Sequence, residues 1–579
     1  MSEIKTACPL DCYDGCEIVY ESGIKPLKNG HTQGFLCPHL HHYESFKRIE
    51  KPSYKGEEIS LEKALEILKD IIEQTPKHQL LHYRSHGNFG LMQEVMDHFF
   101  ASNDNILTNG NLCDGAGEAG IIEGRGSNKN MPLSQIAKSD VVIFWGRNPH
   151  VTSSHILPLI KGKKMIVIDP VRTKIAKMAD LHVQLKPHSD LYFAMLLTRF
   201  LHIEGACDEA FMQEYASEFE DYYELTQGIR IKATLDMMGL SLGDIGDVLE
   251  LVKDQKVAIV CGVGVQKYRD GADVMRAIDA FAVALGLFGK EGCGVAYLGN
   301  SKEAITSPFH TKAKRVSKID TKFDEFETVF IQGANPLAQM PDTNRVLDSM
   351  EHTQNVIYFG LWENETSQRA DLVIPAKTFL EKDDIRTSYA HNALMAMPQQ
   401  KQSEIGISEY DLARYLCDAF GVELQSQEEY LQHFKNFGVQ KIDGSFMVEH
   451  REEVPYREGF DTDDGEFIFL EELEVMHPLE EGYLHLITSK SPKSLNSQFH
   501  REKNLHINAS HGFSEGDLVE VSSEHGSVAL HVTIDENLRD DCVLIYSGTE
   551  GVNKLTSSKH SYEGKNAIYQ DVLVQIKLL

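Results

Sequence analysis

The sequence predicts a multi-domain α/β chain: a small cysteine-rich N-terminal module, two α/β domains with mostly parallel sheets, and a C-terminal β-barrel-like domain. Three observations carry this. Through the middle of the chain, short apolar runs rich in β-branched residues alternate with helical stretches. Four of the ten cysteines lie within the first 37 residues, and from about residue 480 the pattern changes to short alternating strands.

The N-terminal cysteines are Cys8, Cys12, Cys16 and Cys37, in CPLDCYDGCEI and GFLCPHL. Structural zinc sites favour paired knuckles with two or four intervening residues, whereas a cubane cluster tolerates three close thiolates and a distant fourth. The pattern is therefore read as a 4Fe-4S cluster. Radical-type cluster enzymes space three cysteines by three and then two residues and leave one iron open. Here both gaps are three and a fourth cysteine follows, so an electron relay is expected rather than a reactive iron. Disulfides in a secreted domain are disfavoured, because the other six cysteines are scattered singly along a long chain.

At 579 residues and 42% hydrophobic composition the chain can bury several cores. Its first residues, MSEIKTACPL, have no basic region, apolar stretch or twin arginine. No run of 18 apolar residues exists to span a membrane. A cytoplasmic location without direct membrane insertion is the expectation. A net charge of −30, from 87 acidic and 57 basic residues, argues against nucleic acid as a partner.

Ser60 heads SLEKALEILKDIIE, where Leu61, Leu65, Leu68 and Ile72 recur at helical spacing. The runs Val141 to Gly146, Met165 to Asp169, Val257 to Gly262, Thr328 to Gly333 and Asn355 to Gly360 read as buried parallel strands. DLYFAMLLTRFLHIEG and DVMRAIDAFAVALGLFG supply helices between them. In such sheets ligands bind beyond the carboxyl ends of the strands, where glycines let backbone amides approach phosphate. Several strand ends carrying glycine imply a large phosphate-bearing ligand. Residues 425–479 are acidic and weakly periodic, as a connector would be. LHLITS, DLVEVSS, SVALHVTID and CVLIYSG then read as the strands of a compact barrel.

The cysteine motif, VVIFWGRNPHVT, MIVIDPVRTKIAKMADLHVQLKPHSD, FAVALGLFGKEGCGV, FIQGANPLAQMPD, ADLVIPAKTFLEKDD and NASHGFSEGDLVEVSSEHGSV follow one another in order. The chain thereby resembles the molybdopterin oxidoreductases of the dimethyl sulfoxide reductase and formate dehydrogenase superfamily. The resemblance implies a catalytic subunit enclosing two molybdopterin guanine dinucleotides on one molybdenum or tungsten, with the 4Fe-4S cluster beside one pterin. It implies the following division: a cluster module at 1–52; a discontinuous α/β pterin-binding domain at 53–127 plus about 310–424; a Rossmann-like guanosine-binding α/β domain at 128–309; the connector; and a dinucleotide-binding barrel at 480–579. A small-molecule substrate and an iron-sulfur or other redox partner subunit are expected.

Cys113, in GNLCDGAGEAG, is the candidate metal ligand. Taken alone it reads first as a buried hydrophobe, as isolated cysteines usually are, and only second as a thiolate stabilised by a helix N-terminus. The resemblance favours the second, because formate dehydrogenases and periplasmic-type nitrate reductases place cysteine or selenocysteine on molybdenum in such a loop, and a soft thiolate suits that metal. Formate dehydrogenases follow this ligand with a histidine and bring an arginine from a later loop. This chain has Asp114 and, near the later loop, Leu298, which argues against formate. Asp114 reads either as a proton carrier or as the N-cap of the following helix.

For the cofactor, the resemblance assigns Trp145, Gly146, Asn148, Pro149, Asp169, Arg172 and Asp190 to one guanosine and its phosphates. Gly333, Asn335, Pro336, Glu381 and Asn508 take related roles on the other side. Aspartates suit guanine N1 and N2 or ribose hydroxyls, and arginine suits phosphate. Two departures stand out. His39 occupies the position where relatives carry a lysine or arginine between cluster and pterin, and Pro187-His188-Ser189-Asp190 replaces a turn that usually has glycine second. His39, His41 and His42 are not read as a metal cage. Gly262-Val-Gly264 is only a fragment of a dinucleotide fingerprint, and no P-loop is present.

Three function classes follow. The first is an oxidoreductase with electrons relayed through the cluster. The second is a non-redox hydratase-type member of the same superfamily, and the third is a pterin-free electron-relay subunit.

Overall fold

A computed structural model describes the chain except residues 1–4, 29, 31–33, 86–89, 111, 442–445, 450 and 473–481. The chain divides into two compact units, one comprising residues 1–110, 301–451 and 492–501, the other residues 111–300, 452–491 and 502–579.

The first unit is built on an eight-stranded sheet. Its order is Arg315–Ser317, Ile106–Asn109, Leu80–Arg84, Thr328–Gln332, Asn355–Gly360, Leu372–Pro375, Ser53–Tyr54 and Glu57–Glu58. The first six strands run parallel and the last two antiparallel. Central strands carry apolar side chains on both faces because helices cover both sides. Phe330 stands level with His82 and Ile357, in a core shared with Leu68, Phe99, Phe100 and Leu416. The helix Leu61–Gln74 begins where Ser60 Oγ accepts the Lys63 amide at 3.1 Å. Its buried stripe is Ala64, Leu68 and Ile72, spaced by four, whereas Leu61 and Leu65 lie at the core margin.

The N-terminus of this unit is a three-stranded antiparallel sheet, Lys5–Ala7, Glu17–Tyr20 and Ile24–Pro26. Ala7 pairs with Glu17, so Cys8 and Cys16 sit at the two feet of one hairpin loop, closed by the Cys8 amide on the Cys16 carbonyl at 2.8 Å.

The second unit holds a five-stranded, wholly parallel sheet in the order Leu181–Val183, Lys164–Ile168, Val141–Trp145, Val257–Cys261 and Gly294–Ala296. The helix Gly271–Ala284 lies against Gly115–Arg125 so closely that a Cβ on Gly120 would come 2.1 Å from the Ala272 carbonyl oxygen. Arg125 Nε donates to Asp279 Oδ2 at 2.7 Å, and both side chains are buried, which fixes the helix pair axially. The chain ends in a closed barrel ordered Leu484–Ile487, Cys542–Leu544, Asn504–Ile507, Ser527–Ile534, Leu518–Ser522 and Leu573–Leu578. Its interior is filled by residues such as Leu505, Val519, Val532 and Val543.

The stretch 425–479 is not featureless. Ser426 and Glu429 form a capping box for the helix Gln427–Lys435 in the first unit. In the second unit Phe467 and Phe469 are buried, and Phe469 stacks on Tyr222 at 5.1 Å. These anchors are widely spaced aromatics, which leave no periodic trace in sequence. Among the described residues no helix is long and apolar enough to cross a membrane.

Candidate functional site

Sulfur gathers at the hairpin loop of the first unit. Cys8 and Cys16 are buried, Cys12 and Cys37 half-buried, and none is in a disulfide. Cys37 sits at the N-cap of the short helix Pro38–His41. Burial pushes the Cys8 thiol up to about 12, against the pull of the Arg386 cation. Cys37 is likewise pushed up to about 12 by burial and by the charge of Cys8. Cys16 is raised by burial, by Asp14 and by all three other cysteines, so the four thiols lie within electrostatic reach of one another. Four converging thiols that cannot ionise together without a counter-cation are a donor set suited to a metal cluster. His39 follows within the helix, buried, with Nε2 3.2 Å from the Ser494 carbonyl oxygen and its ring stacked on Phe499 at 6.2 Å.

Beside this loop lies a cavity of about 830 Å³, part of it open to solvent. It is bounded by Pro9 and Leu10 of the cysteine loop and by Gly333, Asn335, Tyr358 and Trp362 at the sheet's strand ends. Gly333 adopts φ +56°, turning the chain out of its strand without the Cβ penalty. Asn335 donates to Glu365 at 2.8 Å and accepts from Thr366 at 2.8 Å, which holds its backbone at the cavity edge. Pro336 opens the helix Pro336–Gln339. Glu381 does not line this cavity. It is 3% exposed, accepts two hydrogen bonds from Arg48 at 2.7 and 2.8 Å, and accepts the Thr378 amide at 2.9 Å. Sequence reasoning missed Tyr358 and Trp362, whose aromatic identity alone looks like core.

In the second unit Cys113 lies just before the helix Gly115–Arg125, half-buried. Asp114 is its N-cap residue, yet its side chain makes no capping hydrogen bond. Instead Gln266 braces the turn, donating from Nε2 to the Cys113 carbonyl at 2.7 Å and accepting the Gly117 amide at 2.9 Å. A Cβ on Gly564 would come 2.0 Å from the Gly115 carbonyl oxygen, so a loop of the barrel domain seats against the same turn. Lys267 follows Gln266 and places Nζ 4.7 Å over the Tyr569 ring. Burial and the neighbouring Lys490 lower its pKa, opposed by the charges of Cys113 and Asp114. Tyr297 is 2% exposed and strongly raised, by burial first and then by Asp114 and Cys113. Its hydroxyl has no hydrogen-bond partner among the described residues. A protonated phenol with its donor unused beside a thiol and a carboxylate is what a bound polar group would satisfy. Lys267, Gln266 and Tyr297 carry no motif and lie more than 150 positions from Cys113, so no pattern along the chain marks them.

The neighbouring strand ends hold the candidate guanosine residues. Gly146, at φ +61°, and Gly262 approach so closely that a Cβ on Gly262 would lie 1.8 Å from the Gly146 carbonyl oxygen. Trp145 Nε1 donates to Asp190 Oδ1 at 2.7 Å. Asp169 accepts the Val171 amide at 2.8 Å, and burial with the nearby Asp190 charge pushes it up to about 7. Burial pushes Asp190 up to about 6 despite the Trp145 bond. His188 takes φ +64°, stacks on Tyr268 at 4.2 Å and contacts Asp270 at 2.9 Å through Nε2. Asn148 accepts the His150 amide at 3.2 Å, Pro149 is buried, and the Arg172 cation bears on His182. Asn508 uses its side chain structurally, donating to the Leu538 carbonyl at 2.9 Å and accepting the Ser510 amide at 2.9 Å.

Comparison with known proteins shows the family and the fold. The molybdopterin oxidoreductase family matches residues 48–403, and the molybdopterin dinucleotide binding domain family matches residues 484–573. A probable oxidoreductase, YyaE, of Bacillus subtilis is 26% identical over 100% of both chains. Formate dehydrogenase H of Escherichia coli is 24% identical over 67% of this chain and 64% of its own. Among solved structures, acetylene hydratase from Pelobacter acetylenicus superposes with a TM-score of 0.76 over 99% of this chain and 100% of its own, at 16% identity, a likeness of fold. The chain belongs to the molybdopterin oxidoreductase family, as a molybdopterin-dependent catalytic subunit.

Proposed function

We propose that this chain converts a small-molecule substrate at a molybdenum or tungsten atom held by two molybdopterin guanine dinucleotides and by the Cys113 thiolate. Cys8, Cys12, Cys16 and Cys37 hold a 4Fe-4S cluster that relays electrons to or from a redox partner subunit. The division into modules at 1–52, 53–127 with about 310–424, 128–309, 425–479 and 480–579, and a cytoplasmic setting, belong to the same reading. The observation that carries it is the Cys113 turn, braced by Gln266 and flanked by a cation, a carboxylate and a buried phenol.

When bound, the metal centre supplies a two-electron change of valence or, in a hydratase, Lewis acidity. The chain's own residues do the rest. Cys113 offers its thiolate at a helix N-terminus, where the dipole favours negative charge. Tyr297, held protonated, donates a hydrogen bond to a substrate oxygen or to the cofactor. Lys267 adds positive charge on the same side, and Asp114 accepts or returns a proton at its carboxylate. Trp145, Gly146, Asn148, Pro149, Asp169, Arg172 and Asp190 hold one guanosine. Gly333, Asn335 and Pro336 hold the other, with Asn508 and Glu381 acting through backbone placement and His39 lying between cluster and pterin.

The hydratase reading survives through one observation, the carboxylate of Asp114 next to Cys113. Metal and nucleotide analysis of anaerobically purified protein tests the proposal. About four irons, one molybdenum or tungsten and two guanine nucleotides per chain are expected. Iron without the heavier metal would favour the relay-subunit reading. A metal paramagnetic signal that stays constant through turnover would favour the hydratase.

A further inference from the structure

We propose that Arg386, Ser388 and His391 form a cradle that grips the cysteine loop by its backbone, and that the Arg386 cation raises the reduction potential of the cluster within that loop. The inference rests on the reading of Cys8, Cys12, Cys16 and Cys37 as ligands of a 4Fe-4S cluster.

The cradle is built by a short hairpin of the first unit. The strand Asp384–Arg386 pairs antiparallel with Met395–Met397, and the chain between them runs along the cysteine loop. Arg386 is 0% exposed, and its Nη1 donates to the carbonyls of Cys8 and, at 3.2 Å, Leu10. Its Nε donates to the Thr387 carbonyl at 3.0 Å, which locks the guanidinium plane. Ser388 shares its one hydroxyl proton between the Tyr13 and Asp14 carbonyls at 3.2 and 3.1 Å. It meanwhile accepts the Ala390 amide at 2.9 Å. His391 accepts the Ala393 amide on Nδ1 at 3.2 Å, so its proton sits on Nε2, which donates to the Gly15 carbonyl at 3.1 Å. Three side chains from one six-residue segment therefore hold the carbonyls of Cys8, Leu10, Tyr13, Asp14 and Gly15.

The approach is close enough to demand glycine. Gly15 has φ +57°, and a Cβ there would lie 2.8 Å from both Ser388 Cβ and Oγ. The loop that carries three of the four cysteines is thus shaped by contacts outside itself, at atoms the metal does not use.

Charge gives the cradle its second effect. A guanidinium does not deprotonate in proteins, so Arg386 is a permanent cation fixed on the carbonyl of a ligand cysteine. One-electron reduction adds a negative charge to the cluster with no bond made or broken. A buried cation at this range favours the reduced form, because the interior screens it weakly.

The test is a dithionite redox titration of the cluster by electron paramagnetic resonance, with iron content, on the full-length protein and on Arg386→Gln and Arg386→Lys. Wild-type protein without iron would remove the cluster reading itself, independently of the cradle. With iron present, Arg386→Gln is expected to lower the reduced-to-oxidised ratio at the wild-type midpoint about tenfold, equal to 59 mV for a one-electron couple. Arg386→Lys should titrate between the two. Loss of iron from Arg386→Gln while Arg386→Lys keeps it also supports the inference. A fully loaded Arg386→Gln cluster at the wild-type potential overturns it, as does loss of iron from both variants, since lysine preserves the charge.

Discussion

Gln266 holds the Cys113 turn with both ends of one amide, donating to the Cys113 carbonyl at 2.7 Å and accepting the Gly117 amide at 2.9 Å. Gln266 is 0% exposed, and Gly117 is buried with it. Removing the amide takes the partner from the Cys113 carbonyl and leaves the buried Gly117 N–H unsatisfied, worth about 1–3 kcal/mol. Gln266→Ala is therefore expected to lower kcat roughly 10- to 100-fold through a displaced thiolate, with iron content unchanged. Wild-type kcat in this variant would show that the turn holds itself.

Cys113→Ala addresses the ligand directly. Substitutions outside a metal's own ligands typically cost about 10- to 100-fold, so loss of a ligand should exceed that. Turnover is expected to fall more than about 100-fold while the iron signal persists, because the cluster cysteines belong to a different segment. Unchanged turnover would remove Cys113 from the metal.

Asp169 and Asp190 make the cofactor-free protein sensitive to pH in a defined direction. Burial raises them to about 7 and about 6, above the unfolded value of 3.8. The folded state then retains protons that the unfolded state releases, so stability falls as pH rises from about 4 towards 7. Donors from a guanine base would satisfy the ionised carboxylates and reverse the effect. Cofactor-free protein is expected to melt several degrees lower at pH 8 than at pH 5, and Asp169→Asn to narrow that gap while retaining less guanine nucleotide. Equal gaps in both proteins would contradict this.

How far the sequence could be read depends on what each feature requires. Val141–Trp145, Val257–Cys261 and Thr328–Gln332 are fully buried strands, and such strands must be continuous apolar runs. Asn504–Ile507 and Leu573–Leu578 are barrel strands whose polar positions are half-buried in the first and exposed in the second, and their pattern fades into that of loops. The cysteine spacing was legible because ligands on one loop must be close in sequence. Gln266, Lys267, Tyr297, Arg386 and His391 were not, since each acts across more than 150 residues through contacts set by the fold. Glu381 shows the opposite limit: a motif residue whose carboxylate is occupied by Arg48.

His188 tests whether a histidine can do the work of glycine in a tight turn. Its φ of +64° costs about 1 kcal/mol for a residue with a Cβ, which glycine would avoid. Against that stand the parallel stack on Tyr268 at 4.2 Å and the contact with Asp270 at 2.9 Å. Burial opposes its charge, but the hydrogen bond and charge of Asp270 outweigh it and raise its pKa. The resulting stabilisation is fully present below the unfolded value of 6.5 and is lost as pH rises through the higher folded value. His188→Ala keeps the strained backbone and loses the contacts, so it should be less stable than His188→Gly by about 1 kcal/mol. Both should fall below wild type, and by more at pH 6 than at pH 9. Urea titrations at the two pH values measure this. A glycine variant as stable as wild type at pH 6 would mean that the stack and the ion pair only offset the strain they accompany.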